Sequence, residues 1–245
     1  MELKNNERID DLEYKGLKII QNIDGFCFGI DAVLLSDFAK EIKNNSKVLD
    51  LGTGTGILSI LLSEKTNLEK IYGIEIQSEV ADMARRSVKL NELESKIEII
   101  EKNIKHLDSM FNINYFDAIV TNPPYKKENT GKINENEKKY LSRHEVTADL
   151  SDFIKISFKL LKDKKSLYMV HRPERLVDII YELRKNKLEP KKIRFVYSRK
   201  NEEPKLVLIK ATKNAKEFLK IEKPLFIYDD ENNYTEEILE IYNKK

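Results

Sequence analysis

The stretch from Lys47 to Leu62, KVLDLGTGTGILSILL, constrains the fold of this chain more than any other. It begins as a short apolar strand, passes through three glycines at alternate positions and continues as an apolar helical run. Glycines let the backbone turn tightly and let a ligand approach without a Cβ in the way, while the first amides of the following helix point at that ligand. A strand, a glycine-rich turn and a helix in this order predict a nucleotide-binding unit.

The spacing of the glycines excludes two common nucleotide-binding motifs. A dinucleotide fingerprint requires G-x-G-x-x-G, and Ile57 occupies the position of its third glycine. A Walker loop ends in Gly-Lys-Ser or Gly-Lys-Thr, which does not occur here. The remaining pattern, D-x-G-x-G-x-G after a strand, resembles motif I of the Rossmann-like S-adenosylmethionine methyltransferases. The alternative is a tight strand-to-helix connection that binds nothing.

Two later stretches favour the ligand-binding interpretation. After a second apolar strand comes Glu75, about twenty residues beyond the glycines, where an acid can accept both hydroxyls of a ribose. A later strand, Phe116 to Val120, runs through Thr121 into the sequence Asn-Pro-Pro-Tyr at positions 122–125. We interpret this N-P-P-Y at a strand end as the second anchor of the site.

The order of the predicted elements indicates an α/β fold. Strands and amphipathic helices alternate after Lys47, which predicts a Rossmann-like, mostly parallel sheet of seven strands with helices on both faces. Two late β-rich runs, IRFVYS and KLVLIKA, predict an antiparallel β-hairpin at the sheet edge. We expect one domain over residues 1–245, divided into a flap and helix (1–46), a core (47–212) and a tail (213–245). Residues 1–16 are expected to form a flap or to be mobile, and Asp31 is expected to cap the first helix.

The charge of the whole chain does not indicate nucleic acid, but its distribution does. The net charge is only +2, yet most of the charged residues at positions 184–200 are basic. We predict RNA phosphate contacts at Lys191, Lys192 and Arg194, with an ordinary solvated surface as the alternative. Reversing these three charges is expected to weaken RNA binding and flatten its salt dependence.

Cysteine content and hydropathy indicate a reducing cytoplasm. The single cysteine, Cys27, is predicted to be a buried structural thiol, and no signal peptide or membrane-spanning run is predicted. No spacing of histidines and cysteines indicates a metal site.

The N-P-P-Y sequence suits methylation of a planar, conjugated NH₂ group, whose lone pair is delocalised and weakly nucleophilic. The Asn122 carboxamide oxygen and the Pro123 carbonyl can each accept one N–H of the amine, and the two prolines restrict φ and hold these acceptors in place. The Tyr125 ring can stack on an extruded base. Adenine N6, guanine N2 and a protein glutamine all remain candidates for the acceptor.

Several stretches together resemble the bacterial valine-tRNA adenine-N6 methyltransferase family: FGIDAVLLSDFA, DLGTGTGILSILL, TNPPY, SRHE, VHRPERL, LVLIKATK and a YTEE tail. The resemblance runs from about Leu17 to Tyr242. It implies methyl transfer from S-adenosylmethionine to the adenine 3′ of the anticodon (position 37) in tRNA. A guanine-N2 or protein-glutamine methyltransferase is the alternative enzyme. A methyltransferase-like RNA-binding protein without catalysis is the alternative of another class.

The site expected from the motifs and the resemblance has three parts. The predicted catalytic residues are Asn122, Pro123, Pro124 and Tyr125. The predicted cofactor residues are Asp50, Gly52, Thr53, Gly54, Gly56, Glu75, Ile76, Asn103, Ile104 and Asn122. The predicted RNA contacts are Tyr125, Lys191, Lys192 and Arg194.

Two departures from the family pattern bear on these expectations. Asn103 stands where an acid is commoner, and the polar stretch from Lys126 to Lys139 is expected to be a mobile loop, either a lid or an insertion without a role. Arg143, His144, Arg172 and Arg175 match family stretches but have no predicted role. A tRNA partner is expected, and a monomer is slightly favoured while the sequence leaves the oligomeric state open. The protein-glutamine enzymes carry a helical domain before motif I, for which the 46 residues before Lys47 leave no room.

Overall fold

The computed structural model describes residues 3–23, 29–125 and 148–244 of the 245-residue chain. Within these ranges the chain forms strands, α-helices and two 3-10 helices (Ile104–Ser109 and Pro173–Arg175). The strands are β1 (Glu7–Asp11), β2 (Lys18–Asn22), β3 (Lys47–Leu51), β4 (Lys70–Glu75), β5 (Ile97–Glu101), β6 (Phe116–Thr121), β7 (Leu161–His171), β8 (Leu188–Tyr197), β9 (Pro204–Lys213), β10 (Lys220–Ile221) and β11 (Leu225–Phe226). The α-helices are α1 (Ile30–Phe38), α2 (Ile57–Lys65), α3 (Ser78–Leu90), α4 (Leu150–Leu160), α5 (Leu176–Lys185) and α6 (Glu236–Ile241).

The main sheet has the predicted α/β character. Its strand order is β10-β8-β9-β7-β6-β3-β4-β5, and β11 also pairs with β8. Strands β3 to β7 are mutually parallel, whereas β9 runs antiparallel to both β7 and β8. The mostly parallel sheet and its antiparallel hairpin are therefore confirmed. Among the described residues the sheet has nine strands instead of seven, because the two-residue strands β10 and β11 extend it beyond β8.

The direction of winding reverses between β3 and β6. From β3 the chain proceeds outward to β4 and β5, and it then returns to place β6 and β7 on the other side of β3. Ligands of open α/β sheets bind beyond the carboxyl ends of the strands at such a reversal. The topology therefore predicts a ligand site at the residues that follow Leu51 and Thr121, the last residues of β3 and β6.

Helices cover both faces of the sheet because successive residues of a strand point to opposite sides. Val48 packs in an apolar cluster with residues of α1, α2 and α3, whereas its neighbour Leu49 packs in a second cluster with residues of α4 and α5. The alternation of strands and helices in the sequence predicts this two-sided arrangement, and the structure confirms it.

An antiparallel hairpin of β1 and β2 precedes α1. The polar residues of β1 show no apolar period, so the sequence does not predict this strand. Its anchor lies in α3, where the Arg86 guanidinium donates to both carboxylate oxygens of Glu7 at 2.7 and 2.6 Å. Both side chains are largely buried, with exposures of 16% and 7%, so this bidentate pair is of the stronger kind. The strand thus depends on a distant partner.

The longest described helix is α3, with 13 residues. Crossing a bilayer takes about 20 predominantly apolar residues. Across the described ranges, no helix meets the requirements of length and hydropathy for a membrane span.

Candidate active site

The loop between β3 and α2 depends on its three alternate glycines. Gly52, Gly54 and Gly56 have φ angles of 73°, 58° and 92°, in the left-handed region that favours glycine. The backbone amides of Gly52 and Thr53 donate to the Ile74 carbonyl at 3.0 and 2.9 Å, which ties the loop to β4. A Cβ at Gly54 would meet no atom within 4 Å. The loop therefore makes the tight turn predicted from the sequence and leaves open space above Gly54.

Asp50 lies beneath this loop and is only 1% exposed. Its Oδ2 accepts hydrogen bonds from the Thr53 hydroxyl at 2.7 Å and the Ser59 hydroxyl at 2.8 Å. Its Oδ1 has no hydrogen-bond partner among the described residues. Burial raises the pKa of the Asp50 carboxyl to about 6, and the two hydroxyl donors oppose this only in part. Asp50 thus supports the loop and keeps one acceptor oxygen unused.

Replacing Asp50 with asparagine is expected to alter how stability depends on pH. The ordinary pKa of 3.8 becomes about 6 in the folded protein, so folding favours the protonated carboxyl. The cost of ionising Asp50 is absent at low pH, grows as pH rises above 3.8 and is complete above about 6. The two pKa values differ by an amount worth about 3 kcal/mol. The free energy of unfolding of Asp50→Asn, relative to that of the wild type, should therefore rise by up to about 3 kcal/mol between pH 4 and pH 7.

Denaturant unfolding of both proteins at the two pH values measures this difference. A comparison between the variants cancels the titration of all other groups. The same stability difference at both pH values would contradict the raised pKa of Asp50.

Glu75 ends β4, and its carboxylate is oriented by three backbone donors. Oε2 accepts from the Gly54 amide at 3.1 Å, and Oε1 accepts from the amides of Ile76 and Gln77, both at 2.9 Å. Each carboxylate oxygen can accept more than one bond, so capacity remains for a ligand. Glu75 borders a cleft of about 340 Å³, whose other walls include Ile74, Ile76, Asn103, Ile104 and Phe153. The structure therefore brings five of the predicted cofactor residues together: Gly52, Glu75, Ile76, Asn103 and Ile104.

Asn103 has a local role that the sequence did not predict. Its side-chain oxygen accepts from the Lys105 amide at 2.9 Å and caps the first 3-10 helix. A carboxamide oxygen has two lone pairs, so one remains for a ligand amine.

A second cleft, of about 590 Å³, adjoins the first at Gly52 and is more polar. Its walls include Asp31, Asp50, Thr53, Gly54, Thr55 and Asn122. The two parts fit the two ends of S-adenosylmethionine, because the apolar part with Glu75 suits a base and a ribose, and the polar part suits a charged amino-acid group. The unpaired Asp50 oxygen supports this fit, since it is an acceptor for an ammonium group.

Asn122 and Tyr125 meet Asp31 of α1 at the end of β6. The Asn122 amide nitrogen donates to Asp31 Oδ2 at 3.0 Å. The Tyr125 hydroxyl lies 2.7 Å from the same carboxylate oxygen and 2.6 Å from the Asn122 carboxamide oxygen. The three side chains thus form one hydrogen-bonded cluster at the wall of the polar cleft.

The Tyr125 ring is partly buried against β7. Its centroid lies 5.1 Å from that of His171 and 5.2 Å from the Arg172 guanidinium. Burial and the neighbouring Asp31 charge raise the pKa of the Tyr125 phenol, so the hydroxyl keeps its proton.

His171 is neutral in this environment. Burial, with the nearby charge of Arg175, lowers its pKa to about 4. Its Nδ1 accepts from the Arg172 amide at 2.8 Å, so the ring proton resides on Nε2, which has no partner among the described residues.

Three residues of the site were not identified from the sequence. Asp31 was expected to cap α1, but Gly29 occupies the N-cap position and Asp31 lies in the first turn, where it reaches Asn122. Gly73 of β4 provides space for the loop, because a Cβ there would lie 2.7 Å from Ile99 Cδ1 and 3.0 Å from Thr53 Oγ1. His171 packs against Tyr125. A glycine inside an apolar strand was a usable signal for Gly73, whereas Asp31 gave none beyond its capping preference.

The predicted RNA contacts on β8 are engaged with neighbouring groups. Lys191 donates to the backbone carbonyls of Lys216 and Glu217. Lys192 pairs with Glu41 at 2.8 Å, and Arg194 pairs with Glu237 at 2.7 Å. Phosphate contact by these residues stays a prediction.

Several sequence-based predictions fall on residues 24–28 and 126–147, outside the described ranges. They concern Cys27, Phe28, the loop from Lys126 to Lys139, Arg143 and His144. Among the residues that are described, no group of three or more His, Cys, Asp or Glu side chains is placed to hold a metal ion.

Comparison with known proteins adds a family to this geometry. A family model described as the methyltransferase small domain matches residues 29–175. A tRNA1(Val) (adenine(37)-N6)-methyltransferase of Porphyromonas gingivalis is 28% identical over 204 residues, which cover 81% of this chain and 79% of the relative. A protein of the same name from Haemophilus influenzae is 26% identical over 246 residues, with coverage of 93% and 94%. The structure of a predicted O-methyltransferase from Agrobacterium tumefaciens matches with a TM-score of 0.71 at 20% identity, covering 87% of this chain and 95% of that one.

Proposed function

This chain belongs to the methyltransferase small domain family, and we propose that it transfers a methyl group from S-adenosylmethionine to the N6 amine of an adenine in tRNA. The match over residues 29–175 contains the glycine loop, Glu75 and the sequence from Asn122 to Tyr125. The names of the relatives support adenine 37 of valine tRNA as the target nucleotide.

The cofactor would lie across the two clefts. Glu75 would accept the ribose hydroxyls, and Ile76, Ile104 and Phe153 would contact the adenine ring of the cofactor. The amides of the glycine loop and the free oxygen of Asp50 would bind the amino-acid end. S-adenosylmethionine supplies a methyl group that is already activated by the sulfonium. The protein therefore needs no strong general base, and its contribution is alignment and electrostatics.

The observation that carries the proposal is the placement of the Asn122 carboxamide. Its nitrogen is bound to Asp31 and its oxygen remains the acceptor end, at the wall of the cleft that adjoins Gly52. In this role the Asn122 oxygen and the Pro123 carbonyl each accept one N–H of the substrate amine. The nitrogen can then pyramidalise and direct its lone pair at the methyl group. Pro124 restricts the backbone, and the Tyr125 ring provides an apolar face for the extruded base.

Methyl transfer from labelled S-adenosylmethionine to unmodified total RNA, followed by nucleoside analysis, tests the proposal. N6-methyladenosine in the valine tRNA fraction is the expected product. Label in N2-methylguanosine would instead establish the guanine alternative, and label in protein extract the glutamine alternative. RNA binding without any transfer would favour a non-catalytic RNA-binding protein.

The phosphate contacts of the tRNA are proposed to lie at the end of the sheet that carries Asn122. The Arg172 guanidinium, which stacks on Tyr125, donates to the Lys205 carbonyl at 3.2 Å. At this same end, Lys200 is exposed in the turn between β8 and β9, and Lys205 is exposed at the start of β9. By contrast, Arg184 and Lys187 lie at the opposite end, because Leu188 pairs with Lys213 and β9 is antiparallel to β7. The ten residues of β9 separate the two ends by roughly 30 Å.

Reversing the charges of Lys200 and Lys205 to glutamate is expected to weaken tRNA binding and to reduce the slope of log affinity against log salt by about two. Each lost phosphate contact removes roughly one released counterion from the binding equilibrium. The matched control, Arg184→Glu with Lys187→Glu, changes the net charge equally at the other end and should leave the slope unchanged. A third variant that reverses Lys191, Lys192 and Arg194 tests the contacts predicted from the sequence. Equal slopes for the wild type and the Lys200/Lys205 variant would refute the proposed location.

A cytoplasmic location and a monomer complete the proposed description. A tRNA substrate and the single cysteine, Cys27, agree with a reducing cytoplasm. Sedimentation of the protein with and without tRNA would test the monomer.

A further inference from the structure

We propose that Asp31 is a positioning residue for methyl transfer, which orients the Asn122 carboxamide towards the substrate amine and gives the Tyr125 hydroxyl a second acceptor. The inference rests on the proposed function, in which Asn122 accepts an N–H of that amine. Asp31 and Asn122 are 91 positions apart and meet only in the folded protein.

The first part of the argument concerns the orientation of the Asn122 amide. An ionised carboxylate can only accept hydrogen bonds, so the atom 3.0 Å from Asp31 Oδ2 must be the amide nitrogen. The Asn122 oxygen is therefore the end that remains for a ligand. The two ends of a carboxamide are nearly equal in shape, so without Asp31 the Asn122 amide could bind in the flipped orientation. It would then present N–H groups to an amine that is itself a donor.

The second part concerns the Tyr125 hydroxyl, which covers the Asn122 oxygen. It lies 2.6 Å from that oxygen and 2.7 Å from Asp31 Oδ2, but it has a single proton to donate. When a substrate N–H takes the place of the hydroxyl at Asn122, the phenol can keep a full hydrogen bond to Asp31. The exchange then leaves no buried donor unsatisfied. Leaving one unsatisfied would cost about 1–3 kcal/mol.

The carboxylate of Asp31 is itself held in place. The residue is 7% exposed, and its second oxygen, Oδ1, accepts from the Ala32 amide at 3.0 Å. A Cβ at Gly29 would lie only 2.8 Å from this oxygen, so the glycine makes room for the carboxylate. Both oxygens of Asp31 thus have defined partners, as expected of a group that orients another.

The first test is Asp31→Asn, which keeps the shape but allows the residue at position 31 to donate as well as to accept. We expect kcat for tRNA methylation to fall about 10- to 100-fold, as for the loss of an outer partner of a reacting group. The melting temperature and the affinity for S-adenosylmethionine should stay close to the wild-type values. Asp37→Asn removes another acid of α1, which pairs with Lys40 just beyond the helix; it is the matched control and should leave kcat unchanged.

The decisive test exchanges the two side chains. Asn122→Asp alone places two carboxylates about 3 Å apart, and we expect it to be poorly active because both cannot ionise there at low cost. In the double variant Asp31→Asn/Asn122→Asp, the new amide donates to the new carboxylate, whose other oxygen can accept the substrate amine. The double variant should therefore be more active than Asn122→Asp.

The outcomes separate this inference from the proposed function. A double variant no more active than Asn122→Asp, or an Asp31→Asn protein with wild-type kcat, would overturn the role of Asp31 while the wild type still forms N6-methyladenosine. Wild-type protein that methylates no adenine would instead refute the proposed function. A lower kcat in Asp31→Asn together with recovery in the exchange would support the inference.

Discussion

Replacing Asn122 with alanine is expected to lower kcat for tRNA methylation about 10²- to 10³-fold, the effect of removing one aligned hydrogen-bonding group from a transition state. In the proposed mechanism the Asn122 carboxamide oxygen accepts an N–H of the substrate amine, and alanine has no group to replace it. Affinity for S-adenosylmethionine should change far less, because the clefts around Gly52 and Glu75 remain.

Single-turnover transfer of labelled methyl groups, at saturating S-adenosylmethionine, measures the effect of Asn122→Ala on the chemical step. Asn112→Ala is the control, since Asn112 is exposed in the loop before β6 and the same atoms are removed. Wild-type kcat in Asn122→Ala would show that the carboxamide takes no part in methyl transfer and would remove the central element of the proposed mechanism.

Replacing Glu75 with glutamine is expected to weaken binding of S-adenosylmethionine about 10- to 100-fold, since hydrogen bonds to a charged group contribute roughly 1.5–3 kcal/mol each. Glutamine has one acceptor oxygen and an NH₂ group in place of the second. That NH₂ group would face the Gly54 amide, now 3.1 Å from a carboxylate oxygen, and two donors would oppose each other. The loop should shift, and the acceptors for the ribose hydroxyls should be lost.

Calorimetric titration of the cofactor into Glu75→Gln gives its dissociation constant directly. Glu101→Gln is the matched control, because Glu101 is the register partner of Glu75 on β5 yet is exposed. At saturating cofactor, Glu75→Gln should recover most of the wild-type kcat, unlike Asn122→Ala. An unchanged dissociation constant would place the cofactor elsewhere.

The local parts of the site could be predicted from the sequence for a physical reason. The turn after β3 requires positive φ at Gly52, Gly54 and Gly56, and that requirement shows directly as a glycine pattern. Glu75 and Asn122 each follow an apolar strand, and the carboxyl ends of parallel strands meet at one edge of a sheet. Motif spacing therefore sufficed to group these residues. The fold class followed from the alternation of strands and helices.

Features that depend on distant residues could not be predicted in this way. The strand β1 has no apolar pattern and is anchored by Arg86, and the basic residues near β8 divide between two ends of the sheet. No local sequence pattern indicates either feature.

The sequence by itself therefore determined the α/β class, the glycine loop and the placement of Glu75 and N-P-P-Y at one edge of the sheet, because each is encoded by neighbouring residues. Only the tertiary structure decided that Asp31 contacts Asn122 and Tyr125, and that Asp50 is buried with one oxygen unused. Hydrogen bonds and desolvation depend on which groups meet in space. Asp31 and Asn122 are 91 positions apart, so no local sequence pattern indicates their contact.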